Sequence, residues 1–423
     1  LGFNLELGMR DEEFIKLHET DDVRQLALKA HGMEGIDLPY CLDQIAGRQT
    51  ARRKLPSWAA VDSIVYPPHI SMEQCSSEQT AMYKKSVLDR LHSSTFNLHS
   101  STFNLQSSIY IDLTGGFGVD FSFMSHGFRR AVYVERQEHL CDMASHNFRC
   151  LDMDNVEVVC EEAEEYLDHC EKADVIYLDP ARRDSHGGRT FAISDCTPDV
   201  IALLPLLLTK ARLVMLKLSP MLDWRKAMAD LSEKYVHEVH IVSVDNECKE
   251  LLILLSSKAS QSSSPSLHCV NITGKNISSF IVPVSPMPIS SSPNSHVSTY
   301  AYLYEPNASI MKAGCFDVLA ERYPGILKIA PNSHLFVSET EIPDFPGRCF
   351  SIKKMTTMNK KELRSALSGI KSANIATRNF PLSVAELRKR LKLEDGGDTY
   401  IFATTGCENE HILFICTKIP NNI

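Results

Sequence analysis

A glycine-rich turn follows the first clear strand pattern of the chain. Its sequence, Asp-Leu-Thr-Gly-Gly-Phe-Gly, runs from Asp112 to Gly118 and leads into a helix near Val119. Glycines let the backbone approach a ligand closely, and the start of a helix offers free N–H groups. The turn lacks the Gly-Lys-Ser/Thr ending of a phosphate-binding loop, and Phe121 stands where a dinucleotide fingerprint needs its third glycine. A tight turn without a ligand is an equally good interpretation of this segment alone.

Acidic residues follow the next two strand patterns. Glu135 ends the second pattern, 23 residues after Asp112. In Rossmann-like sheets a carboxylate at this place binds ribose hydroxyls, about 20 residues after the turn. Glu162 and Ala163 follow the third pattern, where an acid could accept a hydrogen bond from an adenine amino group. A solvated helix start, favoured by the helix dipole, explains these two residues equally well.

The fourth strand pattern ends in Asp-Pro-Ala-Arg, residues 179–182. Sheets of parallel strands bind ligands at the carboxyl ends of the strands, so Asp179 would lie beside a bound substrate. Pro180 stiffens the turn, and Arg182 and Arg183 add positive charge there. The alternative is an Asp-Pro turn with two solvated arginines.

These residues need a parallel sheet to bring them together. From residue 109 onward, short apolar strands alternate with helical stretches, which is typical of a sheet with helices on both faces. A short connection between the last two strands predicts an antiparallel edge. The sequence thus predicts an α/β fold with a Rossmann-like, seven-stranded, mostly parallel sheet. The predicted strands are Ile109–Leu113, Ala131–Glu135, Val156–Val159, Val175–Asp179, Leu213–Leu218, Val239–Val244 and Leu251–Ser256.

The segments on either side of this core have other patterns. Apolar residues at helical spacing predict a helical N-terminal domain, and a Ser- and Pro-rich stretch predicts a linker with short strands. Small α+β patterns then predict a ferredoxin-like domain and a further small domain. The predicted boundaries are 1–75 for the helical domain, 76–256 for the core, 257–298 for the linker, 299–355 for the ferredoxin-like domain and 356–423 for the last domain.

The order of the motifs resembles that of a known superfamily. D-x-x-G-G-x-G, then a strand-terminal Glu, then D-P-A-R, is similar to class I S-adenosylmethionine-dependent methyltransferases over roughly residues 76–256. A closer likeness is to bacterial proteins that join such a domain to a THUMP-like C-terminal domain. It is carried by the segments Gln74–Tyr83, Tyr304–Ala308 and Arg378–Leu382. The resemblance implies S-adenosylmethionine as cofactor, RNA (a tRNA or an rRNA) as substrate, and a THUMP-like basic domain at 356–423.

The resemblance also implies a role for each motif residue. Asp112 would receive the ammonium group of the cofactor, Glu135 its ribose hydroxyls and Glu162 its adenine amine. Asp179 and Pro180 would face the reactive methyl group. No metal is expected. The full cofactor set is Asp112, Thr114, Gly115, Gly116, Gly118, Glu135, Glu162 and Ala163, and the catalytic set is Asp179, Pro180 and Arg182.

The fourth motif departs from that of enzymes that methylate base amino groups. Those usually resemble [DN]-P-P-[YFW], in which an aromatic ring stacks on the flipped base, whereas Ala181 and Arg182 stand here. Carbon methylation of pyrimidines needs a cysteine nucleophile, and the fifth strand ends in Lys217-Leu-Ser-Pro without one. Cys196, after the fourth strand, is a weak candidate. The methylated atom stays open, and the alternatives are a small-molecule or protein methyltransferase and a non-catalytic RNA-binding protein.

Charge is distributed unevenly along the 423 residues, whose net charge is −9. Residues 346–395 contain 12 Lys or Arg and 4 Asp or Glu, whereas the rest of the chain is strongly acidic. A block of positive charge can contact phosphate, although a solvated helix face is the more usual explanation. The predicted nucleic-acid contacts are Arg52, Arg53, Lys54, Arg378, Arg388, Lys389 and Arg390.

Composition excludes several classes of protein. Hydrophobic residues make up 43% and charged residues 23%, which excludes a disordered or collagen-like chain. The longest apolar run, Ile201–Leu208, is far shorter than the ~20 residues of a membrane span. The 13 cysteines include no C-x-x-C pair, which argues against a zinc ribbon, and no basic-then-apolar signal segment opens the chain. We expect a cytoplasmic protein without a membrane partner, and the oligomeric state stays open.

Overall fold

The computed structural model describes residues 9–30, 33, 35–93, 108–182, 193–257, 264–284 and 300–420. The chain divides into two compact units. Unit 1 comprises Leu1–Val239 and Glu250–Pro265, and unit 2 comprises His240–Lys249 and Ser266–Ile423. Within the described ranges, no helix combines the length and hydropathy that crossing a bilayer requires.

Unit 1 contains most of the helices and a sheet of long apolar strands. Its helices are α1 (Met9–Leu17), α2 (Val23–Lys29), α3 (Leu38–Lys54), α4 (Pro56–Ala59), α5 (His69–Gln74), α6 (Glu78–Ser93), α7 (Val119–Met124), α8 (Glu138–Cys150), α9 (Ala163–His169), α10 (Val200–Lys210) and α11 (Trp224–Asp230). Its strands are β1 (Ile109–Asp112), β2 (Arg130–Glu135), β3 (Val156–Cys160), β4 (Ala173–Leu178), β5 (Ala181–Arg182), β6 (Cys196–Thr197) and β7 (Ala211–Leu218), and it shares β8 (Val236–Val244) and β9 (Glu247–Leu255) with unit 2.

The sheet is parallel from β3 to β7, in the order β3-β2-β1-β4-β7, and β9 joins β7 antiparallel. All residues of β1 are buried, and so are five of the six residues of β2 and of β4. A parallel sheet covered on both faces needs such continuous apolar strands. The expected count of seven strands is wrong: the hydrogen-bonded sheet has nine, because Ser266–Thr273 and Asn276–Pro283 are long enough to extend it.

The strand order places the motif residues at one edge of the sheet. The chain runs outward from β1 through β2 to β3 and then returns to β4 on the other side of β1. Such a reversal opens a crevice at the carboxyl ends of the strands, where doubly wound sheets bind ligands. Asp112 and Glu135 are the last residues of β1 and β2, and Asp179 directly follows β4.

The N-terminal helices belong to the same compact unit as the sheet, instead of forming a unit of their own. The ring of Trp58 packs edge-on against Phe117 of the glycine-rich turn, with centroids 4.9 Å apart. The side chain of Asn147 on α8 exchanges two hydrogen bonds with the backbone of Val65, at 2.9 and 2.8 Å. These helices therefore pack against the turn and the helix that follow β1 and β2.

The described residues of unit 2 form a second sheet and four helices. Its helices are α12 (Ala308–Ala313), α13 (Phe316–Arg322), α14 (Lys360–Ala366) and α15 (Val384–Leu391). Its strands, besides parts of β8 and β9, are β10 (Ser266–Thr273), β11 (Asn276–Pro283), β12 (Tyr302–Pro306), β13 (Leu327–Lys328), β14 (Phe336–Ser338), β15 (Gly347–Thr357), β16 (Asn374–Arg378), β17 (Thr399–Thr405) and β18 (His411–Lys418). The second sheet has the order β13-β14-β12-β15-β18-β17-β16.

Alternation along the strands separates two cores on the faces of this second sheet. Phe402 and Phe414 join one core, whereas Ile401 and Leu413, their neighbours in sequence, join the other, which α14 and α15 cover. Glu305 on β12 pairs with Arg378 on β16 at 2.5 Å, although three strands separate them. A flat sheet would hold those strands about 19 Å apart, so the sheet curls around its first core.

Candidate active site

The glycine-rich turn is shaped by the packing beneath it. A Cβ added at Gly115 would lie 2.2 Å from the ring of Tyr133, and one at Gly118 would lie 2.8 Å from the ring of Phe148. Gly116 and Gly118 have φ values of +53° and +86°, a backbone conformation that residues with side chains rarely adopt. The resemblance implies that these three glycines contact a cofactor, and the packing and backbone conformation of the turn also require each of them.

Glu135 is held in a fixed orientation at the edge of the sheet. The N–H of Gly116 donates to its Oε2 at 3.0 Å, and the N–H of Gln137 donates to its Oε1 at 3.0 Å. The residue is 8% exposed. Oε1 also accepts a hydrogen bond from the side-chain amide of Gln137 at 3.3 Å, whereas Oε2 retains a second lone pair for a ligand hydroxyl.

Asp112 is a buried carboxyl group, 1% exposed. Its Oδ1 accepts hydrogen bonds from the N–H of Thr114 at 2.9 Å and from its hydroxyl at 3.4 Å. No cation among the described residues forms an ion pair with it. Burial raises the pKa of Asp112 well above its ordinary value, and the nearby Asp120 and Asp179 add to that shift, which the hydrogen bonds from Thr114 oppose. A bound ammonium group would relieve this cost.

Thr114 links the first strand end to the fourth. Its hydroxyl accepts a hydrogen bond from the backbone N–H of Asp179 at 2.7 Å. The side chain of Asp179 is 37% exposed, and Pro180 behind it is buried. The structure therefore joins Asp112, predicted for the cofactor, and Asp179, predicted for catalysis, through hydrogen bonds of Thr114.

A chain of charged side chains leads from the interior of unit 1 to Asp179. Lys84 Nζ lies 2.6 Å from Glu250 Oε2 and 3.1 Å from Asp120 Oδ1. Lys217 Nζ lies 3.9 Å from Asp120 Oδ2 and donates a hydrogen bond to Asp179 Oδ2. Carboxyl and ammonium groups therefore alternate along five residues, which belong to α6, α7, β7, β9 and the turn after β4.

Electrostatics within this chain keeps its middle members charged. Burial alone would lower the pKa of Lys217, but the carboxylates of Asp179, Asp120 and Glu250 raise it above its ordinary value. Burial also opposes ionisation of Asp120, yet the ammonium groups of Lys84 and Lys217 hold the pKa of Asp120 below its ordinary range. Lys217 is therefore a cation that donates a hydrogen bond to Asp179 at the exposed end of the chain.

Asp120 is the point where the chain meets the N-terminal region. The hydroxyls of Ser76 and Tyr177 donate to its Oδ2 at 2.7 and 2.8 Å. Ser76 lies in the segment Gln74–Tyr83, whose likeness to a family the sequence indicates, and Lys84 follows it on α6. This segment contributes to the polar support of Asp179.

The sequence assigns no role to the chain members Lys84, Asp120, Lys217 and Glu250. Two of them carry a signal in hindsight. Asp120 follows the last glycine of the turn by two residues, and Lys217 interrupts the apolar run from Leu213 to Leu218. Lys84 and Glu250 are separated by 166 residues, and no local sequence pattern predicts their contact.

The remaining predicted cofactor and catalytic residues are less constrained. Glu162 is the N-cap of α9 with a half-exposed side chain, and its Oε1 lies 3.9 Å from an Arg136 nitrogen. Ala163, the first residue of α9, is buried. The backbone of Arg182 pairs with Cys196 in the short ribbon of β5 and β6, and Arg183 lies outside the described residues.

Several predicted nucleic-acid contacts are engaged within the protein. Arg378 pairs with the buried Glu305, and Arg388 donates to the carbonyls of Ala373 and Glu394 at 2.9 Å. Lys54 donates to two backbone carbonyls, of Met72 and Glu73, and Arg52 pairs with Glu19. Arg53, Lys389 and Arg390 are exposed.

Family models match three segments of the chain. Residues 82–193 match the family described as "Conserved hypothetical protein 95". Residues 302–346 match a ferredoxin-like domain, and residues 347–418 match a THUMP domain-like family. No curated protein matches the chain.

Solved structures match the chain as well. A protein of Porphyromonas gingivalis W83, described as a "putative methyltransferase", is 31% identical, with a TM-score of 0.79, and the match covers 97% of this chain and 98% of that one. A Listeria monocytogenes protein described as a "putative class I S-adenosylmethionine-dependent methyltransferase" is 7% identical, with a TM-score of 0.37 over 63% of this chain and 94% of its own. A "putative methyltransferase" of Streptococcus mutans, solved with S-adenosylhomocysteine, is 15% identical, with a TM-score of 0.27 over 35% of this chain and 88% of its own.

Proposed function

Since the chain belongs to the methyltransferase family represented by the Porphyromonas gingivalis protein and carries a THUMP-like domain, we propose that it transfers a methyl group from S-adenosylmethionine to RNA. The observation that carries the proposal is the pair of strand-end carboxyl groups, Asp112 and Glu135, at the crevice of a parallel sheet.

The donor set at this crevice fits S-adenosylmethionine. Asp112 is a buried carboxyl group that lacks a cation among the described residues, and an ammonium group would supply one. Oε2 of Glu135 offers a remaining lone pair to one ribose hydroxyl, and Oε1 would accept the second hydroxyl in exchange for the 3.3 Å hydrogen bond from the Gln137 side chain. Glu162 and Ala163, at the start of α9, would receive the adenine.

Asp179 and Pro180 would line the position of methyl transfer. The cofactor supplies a methyl group on a positively charged sulfur, and transfer is an in-line displacement whose rate depends largely on how the acceptor is positioned. Asp179 is anchored through its N–H to Thr114 and through its carboxylate to Lys217. A fixed carboxylate can hold a donor group of the acceptor in line. Arg182 would add positive charge at the same end of the strand.

The charge of unit 2 supports RNA as the substrate class. The basic segment 346–395 lies almost entirely within the THUMP-like match, and RNA presents phosphate charge along its whole length. A small acceptor molecule would need no such surface. The methylated atom is left open by this proposal.

Calorimetry with S-adenosylhomocysteine tests the cofactor site on the full chain. We expect saturable binding by the wild type, and its absence at high ligand concentration would overturn the proposed enzyme class. Radiolabelled S-adenosylmethionine then tests the substrate class, with RNA from a strain that lacks the gene as acceptor.

RNA from the same strain carrying the gene is the matched control. It should accept less label, because its target sites are already methylated. Equal labelling of both RNA pools, or label found only in protein or small molecules, would contradict RNA as the substrate while leaving the cofactor site intact. Mass mapping of the two pools would then identify the modified nucleoside.

A further inference from the structure

Two helices of unit 2 cover one face of its second sheet. Leu363 and Ala366 of α14 and Leu387 and Leu391 of α15 pack into the same apolar core against β17 and β18. Because both helices use their apolar sides for this contact, their other sides face away from the sheet. Basic residues at these outer positions therefore belong to one layer of the protein, which we call the helical layer.

An open hollow lies on the outer side of α14. Its volume is about 890 Å³, and it is lined by three cationic side chains and two hydroxyls, from Lys360, Lys361, Arg364, Ser365 and Ser368. All five residues are exposed. Ammonium, guanidinium and hydroxyl groups together donate hydrogen bonds to an anion with several oxygens, and phosphate is the common biological group of that kind.

The cations of the hollow are not neutralised by the protein. Within residues 300–420, the ion pairs of the basic segment engage Arg348, Arg378 and Arg388, and none includes a residue of the hollow. Glu362 and Glu386, the acids of α14 and α15, form no ion pair with the cations of the hollow within residues 300–420. Glu362 accepts a hydrogen bond from Thr357 at 2.6 Å, and Glu386 accepts two from Ser383 in a capping box.

Positive charge continues from the hollow across the helical layer. Lys389 and Arg390 on the second helix are exposed, and so are Lys371 and Lys392 after the two helices. The N–H of Glu394 donates to the carbonyl of Lys371 at 3.0 Å, which ties the two segments together. The unpaired cations thus extend over a surface larger than one small anion would occupy.

From these observations we propose that the helical layer is the surface on which an RNA backbone docks, with the hollow of Lys360, Lys361 and Arg364 holding phosphates. This inference rests on the proposed RNA substrate and says where that substrate is held. As RNA contacts we propose residues of α14, to which the sequence analysis assigns no role, in place of Arg378 and Arg388, whose side chains are bound within the protein. A membrane surface fits less well, because Val384 is the one large apolar side chain exposed on the described residues of these helices.

The test compares two triple variants of the full chain that each lose three positive charges. The first, K360Q/K361Q/R364Q, removes the cations of the hollow. The control, K16Q/R24Q/K29Q, removes three exposed cations from α1 and α2. All six side chains are exposed, so both variants should keep the wild-type melting temperature and bind S-adenosylhomocysteine as the wild type does.

Fluorescence anisotropy with a labelled, unmodified tRNA transcript measures the docking itself. Loss of three phosphate contacts should make the slope of log K against log salt less negative by about 2 to 3, and should weaken binding about 100-fold at ~0.1 M KCl. The control should stay within threefold of the wild type. The double variant K389Q/R390Q should lose about 1.5 of the slope.

Three results would overturn the inference. The hollow variant could bind RNA as the control does, the control could lose as much affinity as the hollow variant, or the wild type could bind vesicles of phosphatidylglycerol more tightly than the transcript. Binding of S-adenosylhomocysteine in the same proteins separates these failures from a failure of the proposed enzyme class.

Discussion

Replacing Glu135 by glutamine should weaken cofactor binding and disturb the turn at the same time. Both oxygens of the carboxylate accept backbone hydrogen bonds, one from Gly116 and one from Gln137, each at 3.0 Å. An amide has one acceptor oxygen and one NH₂ group, so the variant would set a donor against one of these two N–H groups. It would also lose the negative charge that ribose hydroxyls are expected to meet.

The size of the loss follows from the number of hydrogen bonds involved. A hydrogen bond to a charged group is worth about 1.5–3 kcal/mol, so losing one ribose contact should raise the Kd for S-adenosylhomocysteine by about 10- to 150-fold. The backbone N–H left without an acceptor should cost about 1–3 kcal/mol of the free energy of unfolding. Binding and stability thus report two separate consequences of one substitution.

Titration calorimetry with S-adenosylhomocysteine and a denaturant melt measure the two effects. Asp142→Asn is the control, because it removes one negative charge from an exposed position of the helix that follows Glu135. We expect its Kd to stay within threefold of the wild type. A folded Glu135→Gln protein with a wild-type Kd for S-adenosylhomocysteine would refute the assignment of Glu135 to the ribose. That result would not contradict the other residues of the proposed cofactor site.

Three further substitutions probe the same unit. Asp112→Asn should raise the free energy of unfolding by about 0.5–2 kcal/mol at neutral pH, because burial raises the pKa of this acid in the folded chain. The gain should vanish below about pH 4, where the carboxyl group is protonated in the folded and in the unfolded chain. Calorimetry should show weaker cofactor binding by this variant. Equal stability at all pH values would contradict the burial cost. Lys84→Met should cost about 3–5 kcal/mol in a denaturant melt, because Glu250 and Asp120 lose their shared cation, and adding Glu250→Leu should recover part of that loss. Gly118→Ala should cost about 2–5 kcal/mol from the positive φ and the nearby ring of Phe148, whereas a melt unchanged from wild type would mean that the turn can relax.

Local sequence predicted the strand ends well because the relevant pattern is local. Apolar runs that end in an acid and are followed by a helix predict β1, β2 and β4, and the structure confirms these strands to within two residues. The carboxyl ends of parallel strands meet at one edge, so the neighbourhood of Asp112, Glu135 and Asp179 followed from topology alone. The seven-strand count was wrong because the short strands predicted within the Ser- and Pro-rich linker are eight residues long each and join the sheet by hydrogen bonds.

The chain of buried charges lay beyond what local sequence can predict. Lys84 is completely buried, although lysine is rarely buried without a partner. Its partner Glu250 is 166 residues away, on the antiparallel strand that closes the parallel part of the sheet. A buried charge network of this kind stabilises a fold weakly or not at all, compared with apolar residues of similar volume. The network reaches Asp179 through Lys217, so we infer that its main role is to hold the Asp179 carboxylate in place.

Charge counting does not show which cations are free to contact a polyanion, as Arg388 and Lys389 illustrate. The two residues are adjacent on α15, yet Arg388 donates to two backbone carbonyls and pairs with Asp395, whereas Lys389 is exposed. Neighbours on a helix point about 100° apart, so a run such as Arg-Lys-Arg contains residues with different surroundings. The number of cations available to a polyanion is therefore set by helix phase and by the positions of acids. By that criterion Lys360, Lys361 and Arg364, which are all exposed on α14, are better candidates for RNA contacts than the denser run at 388–390, in which Arg388 is bound within the protein. The salt dependence of RNA binding by K360Q/K361Q/R364Q and by K389Q/R390Q shows which of the two groups of cations contacts more phosphates.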